Sequence, residues 1–108
     1  MPDARTHSVY VIELDKAVRA NRRFATANPE CRADKPCLYV GLTGRSPEER
    51  FAQHKAGIKA ARFVRAYGIR LRRRLYGHHN PMTYDDAQKM EVELARRLRK
   101  RGFAVWQN

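Results

Sequence analysis

Glu91 is the residue whose surroundings least suit it. In the stretch after Thr83, Ala87, Met90, Leu94, Ala95 and Leu98 recur at helical spacing as an apolar stripe, and Glu91 falls within that stripe. A carboxylate so placed needs a partner, and either an arginine in a structural ion pair or a metal cation would serve. Glu93 sits instead among Lys89, Arg96 and Arg97, as a solvated helix charge does. Arg50 and His54 form a second candidate pair. Four residues apart, they project from one helix face beside Phe51 and Ile58 and could meet one bound group. A surface arginine beside a hydrogen-bonded histidine has the same spacing.

A third signal is charge. The 108 residues carry 23 Lys plus Arg against 11 Asp plus Glu, a net charge of +12, so the molecule's field draws polyanions. The excess is uneven: residues 1–54 hold 9 basic and 7 acidic side chains, residues 55–108 hold 14 and 4. In the second half Arg62, Arg65, Arg70, Arg72, Arg73 and Arg74 crowd around Tyr67 and Tyr76. That is the texture of a surface that holds phosphates and stacks bases, although a solvated charged face has the same composition. Cys31 and Cys37 could be combined with His78 and His79 as a zinc site, but no second CxxC-like pair accompanies them and they read as two free thiols.

These side chains need elements to position them. Ser8–Leu14 and Cys37–Thr43 are rich in β-branched and aromatic residues and read as strands. Residues 15–36 between them are polar, with Pro29 and Pro36, and read as a long mobile connection that begins with a short helix over Lys16–Ala20. Ser46, Pro47 and Glu49 predict a helix from Pro47 to about Ala56, stopped by Gly57. A short helix over Ala60–Ala66 and a strand over Ile69–Leu75 are expected next. Thr83 caps a second clear helix that Gly102 ends, and Phe103–Gln107 reads as a last strand. The apolar runs are strand-sized, so no membrane span is expected. With no apolar core of a signal peptide in residues 1–7 and only two cysteines, a cytoplasmic protein is expected. Residues 1–108 are read as one domain.

Taken together, Val9-Tyr10-Val11-Ile12, then Leu38-Tyr39-Val40-Gly41, a helix with Arg50 and His54, a helix with Glu91 and a closing Asn108 resemble the GIY-YIG nuclease superfamily. The resemblance runs from Ser8 to Asn108. It implies an α+β fold, a small central antiparallel three-stranded sheet flanked by helices, that cleaves phosphodiester bonds, most readily in DNA, with one Mg2+ or Mn2+. Carried over by position, Tyr10 and Tyr39 are the motif tyrosines, Gly41 the motif glycine and Arg50 the helix arginine. His54 stands where the family has His or Tyr, Glu91 is the metal ligand, and Asn108 is the closing asparagine.

The chemistry suits those residue types. A hard cation takes one carboxylate and keeps several waters, an arginine stabilises charge developing on phosphate, and a tyrosine near positive charge can take a proton from water. His54 would orient a water or a tyrosine hydroxyl, and Gly41, having no side chain, would let backbone and substrate approach closely. Ser8-Val9-Tyr10 departs from the motif by lacking its leading glycine, and the 29-residue spacing between the tyrosines makes residues 15–36 an insertion. A non-catalytic nucleic-acid-binding module with a basic C-terminal half is the alternative. Against it, packing alone does not require Tyr10, Tyr39, Arg50, His54, Glu91 and Asn108 together.

Overall fold

The computed structural model describes residues 4–107. Strands β1 (Ser8–Leu14) and β2 (Cys37–Thr43) lie where the branched and aromatic runs put them. They pair antiparallel with Tyr10 opposite Gly41 and Ile12 opposite Tyr39. Ahead of β2, helix α1 (Arg22–Ala27) follows a 3-10 turn over Lys16–Ala20. Helix α2 (Pro47–Lys55) starts as its cap predicts: Ser46 Oγ accepts the Glu49 N–H at 3.1 Å and donates to Glu49 Oε1. Helix α3 (Arg62–Tyr67) and strand β3 (Gly68–Leu71) follow, then α4 (Tyr84–Lys100), capped by Thr83, and β4 (Ala104–Gln107).

The sheet order is β3-β1-β2-β4. The three expected antiparallel strands are β3, β1 and β2, and β4 extends them as a parallel neighbour of β2 because α4 carries the chain back across one face. Pleating then divides the residues. Val9, Val11, Leu38, Val40 and Val105 share the face that meets α4, whose Ala87, Leu94, Ala95 and Leu98 are buried there. Tyr10, Ile12, Leu14 and Tyr39 face the other side, under α2 and α3. On that side Phe63 makes edge-to-face contacts with both Phe24 and Trp106.

Two expectations change. The strand expected over Ile69–Leu75 stops at Leu71, and a 3-10 turn takes Arg73–Leu75. After the Arg72 N–H donates to the Val11 carbonyl, the turn swings Tyr76 into the core while the arginines stay outside, which continued alternation would not achieve. Residues 15–36 are a packed unit rather than a mobile connection. Val18 and Phe24 are buried, and the Arg19 guanidinium donates to the carbonyls of Arg32 and Lys35. Buried Asn28 accepts the Val105 N–H at 2.7 Å through Oδ1, while Arg99 donates to the Val105 carbonyl. The apolar residues were too few per turn to advertise this packing; the satisfied polar groups supply the rest.

Candidate active site

Pairing of β1 with β2 sets Tyr10 beside Gly41, and the absence of a side chain at 41 makes the room. A Cβ there would come within 2.6 Å of Tyr10 Oη and 3.0 Å of Tyr39 Cε2. Gly41 therefore accommodates the two phenols; the close approach expected at this position is one of protein to protein. The Tyr10 and Tyr39 rings lie 6.1 Å apart, and His54 reaches down from α2 to complete the group, its centroid 6.0 Å from Tyr10 and 5.7 Å from Tyr39. All three are buried.

Hydrogen bonding fixes the imidazole. The Ala61 N–H donates to His54 Nδ1 at 3.0 Å, and Nε2 lies 2.8 Å from Tyr10 Oη. A neutral ring that accepts at Nδ1 carries its proton on Nε2, so His54 donates to the Tyr10 oxygen. His54 positions the phenol; with Nδ1 already filled, it is not the base that receives the Tyr10 proton. Burial, followed by the Arg50 charge, pulls the His54 pKa down to about 4, so the ring is neutral near pH 7. Burial first, then Tyr39, raises the Tyr10 hydroxyl well above the usual phenol range, and Arg50 opposes that rise.

A stability test follows from the histidine. Its folded pKa lies below the unfolded value near 6.5, so between pH 6.5 and about 4 the unfolded chain binds more protons. The protein is therefore expected to lose up to about 3 kcal/mol of stability as pH falls through that window, with no further loss from this group below it. Urea unfolding at pH 7 and pH 4.5 would measure it. In His54→Gln the difference should shrink, and an undiminished difference would assign the acid sensitivity to other groups.

Arg50 stands beside this trio, but its guanidinium is engaged with the loop between α2 and α3. It donates to the Ile58 carbonyl at 3.1 Å, the Lys59 carbonyl at 2.7 Å and Gln53 Oε1 at 3.3 Å. Glu91, only 9% exposed, lies on the α4 face of the sheet. Its Oε1 accepts from Gln107 Nε2 at 3.2 Å, and burial raises its pKa. Gln107 is opposite Val40, one residue from Gly41, so Glu91 and the tyrosines occupy the same end of the sheet from opposite faces. The ion pairs among the described residues do not include Glu91, whereas Arg96 and Arg97 neutralise Glu93. Asn108 lies outside the described residues.

The arginines divide between two places. Arg70, Arg72, Arg73 and Arg74 line a cleft of about 900 Å³ with Glu13 and Glu48; Arg72 pairs with Glu13 at 3.4 Å and Arg73 with Glu48 at 2.9 Å. Arg62 and Arg65 line a separate concavity on α3. Tyr76 is core, so it is no stacking platform. Cys31 and Cys37 carry free thiols, and no cluster of three or more His, Cys, Asp or Glu that could hold a metal occurs among the described residues.

A family model described as the GIY-YIG catalytic domain matches residues 7–104. The chain belongs to the GIY-YIG family. No curated protein and no solved structure shows significant similarity to it. The match spans the tyrosine strands, the Arg50–His54 helix and the Glu91 helix, and membership gives this GIY-YIG domain a nuclease-type function in general terms. No helix among the described residues is long and apolar enough to cross a membrane.

Sequence reasoning missed Asn80. Its side chain accepts the Val9 N–H at 2.9 Å and donates to the Val9 carbonyl at 2.7 Å, imitating a neighbouring strand where β3 no longer covers β1. The Asn80-Pro81 dipeptide signals a turn, but nothing in it signals that partner. Gln107 and the Ala61 amide were equally silent, because neither residue type signals the side chain it meets.

Proposed function

We propose that residues 1–108 act as one metal-dependent endonuclease domain that hydrolyses phosphodiester bonds in DNA. The observation that carries this reading is the buried Tyr10–His54 hydrogen bond, set beside Arg50 and at the same end of the sheet as a carboxylate that no arginine neutralises. Burying a neutral histidine to orient a tyrosine hydroxyl, and a glutamate with an amide partner, costs stability that a purely structural design would avoid.

Glu91 fits Mg2+ or Mn2+: it offers one carboxylate, and such an ion keeps waters for its remaining positions. Bound there, the cation supplies positive charge to the scissile phosphate and lowers the pKa of water. Arg50 keeps its hold on the loop carbonyls, and its positive charge beside the tyrosines would stabilise charge developing on phosphate oxygens. A Tyr10 or Tyr39 phenolate would take the proton of the attacking water, while the His54 Nε2–H donor holds Tyr10 in place. The phenol's own proton is first released to solvent under the positive charge of Arg50 and the bound cation, which opposes the rise that burial imposes on Tyr10. The arginines of the β3 cleft and of α3 hold flanking phosphates, which suits a cytoplasmic protein exposed to nucleic acid.

The engagement of Arg50 with the Ile58 and Lys59 carbonyls favours the second reading, a nucleic-acid-binding module without catalysis. Labelled single-stranded, duplex and branched DNA incubated with Mg2+, Mn2+ or EDTA separates the two. Cleavage with either metal and none in EDTA is expected, with binding retained throughout. Binding without products under every condition would leave the module. In the same binding assay, Arg70→Ala combined with Arg74→Ala should flatten the log–log salt dependence by about one to two units. An unchanged slope would make that run a solvated face.

A further inference from the structure

The loop between α2 and α3 is built to hold an apolar side chain in water. Ile58 is 54% exposed, although it lies between two residues with left-handed backbone, Gly57 at φ 82° and Lys59 at φ 44°. Lys59 is the one non-glycine residue with positive φ among those described, a conformation that persists only where the surroundings enforce it. Here they do. The Ile58 N–H donates to the Gln53 carbonyl at 2.9 Å, Arg50 clamps the carbonyls of Ile58 and Lys59, and the Ala61 N–H is tied to His54. The loop therefore hangs from two residues of the proposed active site and presents Ile58 at a fixed place beside it.

Its surroundings are cationic. Gly57, Ala60 and Ala66 form the small-residue floor of a concavity of about 510 Å³ whose walls are Arg62 and Arg65, with no acidic side chain lining it. The Arg65 guanidinium lies over Gly57, where an added Cβ would come within 3.0 Å of it. An exposed isoleucine next in the chain to Gly57, which lines this basic, small-floored concavity, matches the chemistry of a wedge. The aliphatic group enters between two bases while the cations beside it take the adjoining phosphates.

We propose that this loop is a second nucleic-acid subsite in which Ile58 separates a base step next to the scissile phosphate and the Arg62–Arg65 concavity receives the displaced backbone. The proposal rests on the nuclease reading and narrows its substrate. DNA already unstacked at that step, as in a bubble, mismatch or branch junction, avoids the cost of opening it, so such DNA is preferred over perfect duplex. One isoleucine is too little apolar surface to anchor a lipid bilayer, which makes a nucleic acid the better occupant.

The test compares wild type, Ile58→Ser and Ile58→Leu on a perfect duplex and on the same sequence with a small bubble. Ile58→Ser leaves the loop's backbone hydrogen bonds available, and a matching urea midpoint would verify its fold. Its kcat/KM on duplex should fall about tenfold while that on the bubble stays within about twofold, with Ile58→Leu close to wild type on both. In EDTA, a fluorescent base analogue scanned through the duplex should brighten at one step with wild type and not with Ile58→Ser. Equal effects on duplex and bubble, or identical brightening, would overturn the wedge. So would Ile58-dependent binding to phosphatidylserine vesicles with no change on DNA. If wild type cleaves nothing with either metal, the nuclease reading fails by itself, and the fluorescence scan still decides whether Ile58 enters the stack.

Discussion

Glu91→Gln is expected to abolish cleavage, by at least about a hundredfold, while leaving fold and DNA affinity intact. The substitution removes a charge at nearly constant volume, and the amide oxygen can still accept from Gln107, whose Nε2 donates to Glu91 Oε1. Burial already raises this carboxyl's pKa, so the charge is costly to maintain and its neutral form is tolerated by the fold. A pH signature follows from competition between proton and cation for this carboxylate: wild-type activity should fall toward acid pH and recover as Mg2+ is raised, with the Gln variant resembling the acid limit at every pH. Single-turnover cleavage with Mg2+ from pH 5 to 8, alongside binding in EDTA, would measure both. Full activity in Glu91→Gln would remove the metal from Glu91.

The second large effect is expected at Gly41. An alanine methyl would sit 2.6 Å from Tyr10 Oη and 2.7 Å from its Cζ, and the phenol cannot simply retreat because His54 holds its oxygen and the ring is fully packed. Gly41→Ala should destabilise the protein by about 1–3 kcal/mol, the usual cost of overpacking a core. It should also slow cleavage more than that loss explains, by about a hundredfold at a temperature where the variant is fully folded. Combining it with Tyr10→Phe, which removes the nearest atom, should recover part of the stability and none of the rate. Thermal unfolding and single-turnover rates give the two readouts. Equal stability in Gly41→Ala would mean that the strands can part here without cost.

Strands β1 and β2 and helices α2 and α4 were legible because each carries its own punctuation: a run of branched residues, a Ser or Thr cap, a glycine stop. Glu91 announced itself by breaking an apolar stripe, and that is a local signal. The arrangement of Tyr10 with His54 was not local. It depends on register between strands 29 residues apart in sequence and on the backbone amide of Ala61, whose side chain says nothing about its partner. The basic run misled in one respect, because an alternating pattern such as Ile69–Leu75 fits a strand equally well whether or not a neighbour exists to pair with it. Tyr76, read as part of a binding surface, went to the core because the turn after Leu71 reversed its direction.

Buried Asn28 and exposed Arg99 have an effect beyond local packing. The N–H and carbonyl of Val105 point away from the sheet on its outermost strand, where they would otherwise form a template for a strand from another molecule. Arg32, whose N–H meets the Gly102 carbonyl, extends the cover toward α4, and Asn80 does the same service for Val9 at the opposite side. The segment between the first two strands thus acts as a guard against edge-to-edge aggregation. The outer edge of β3, four residues long and bearing Arg70, is guarded by charge, because a second copy of so cationic a chain meets like charge before it meets a hydrogen-bonding ladder.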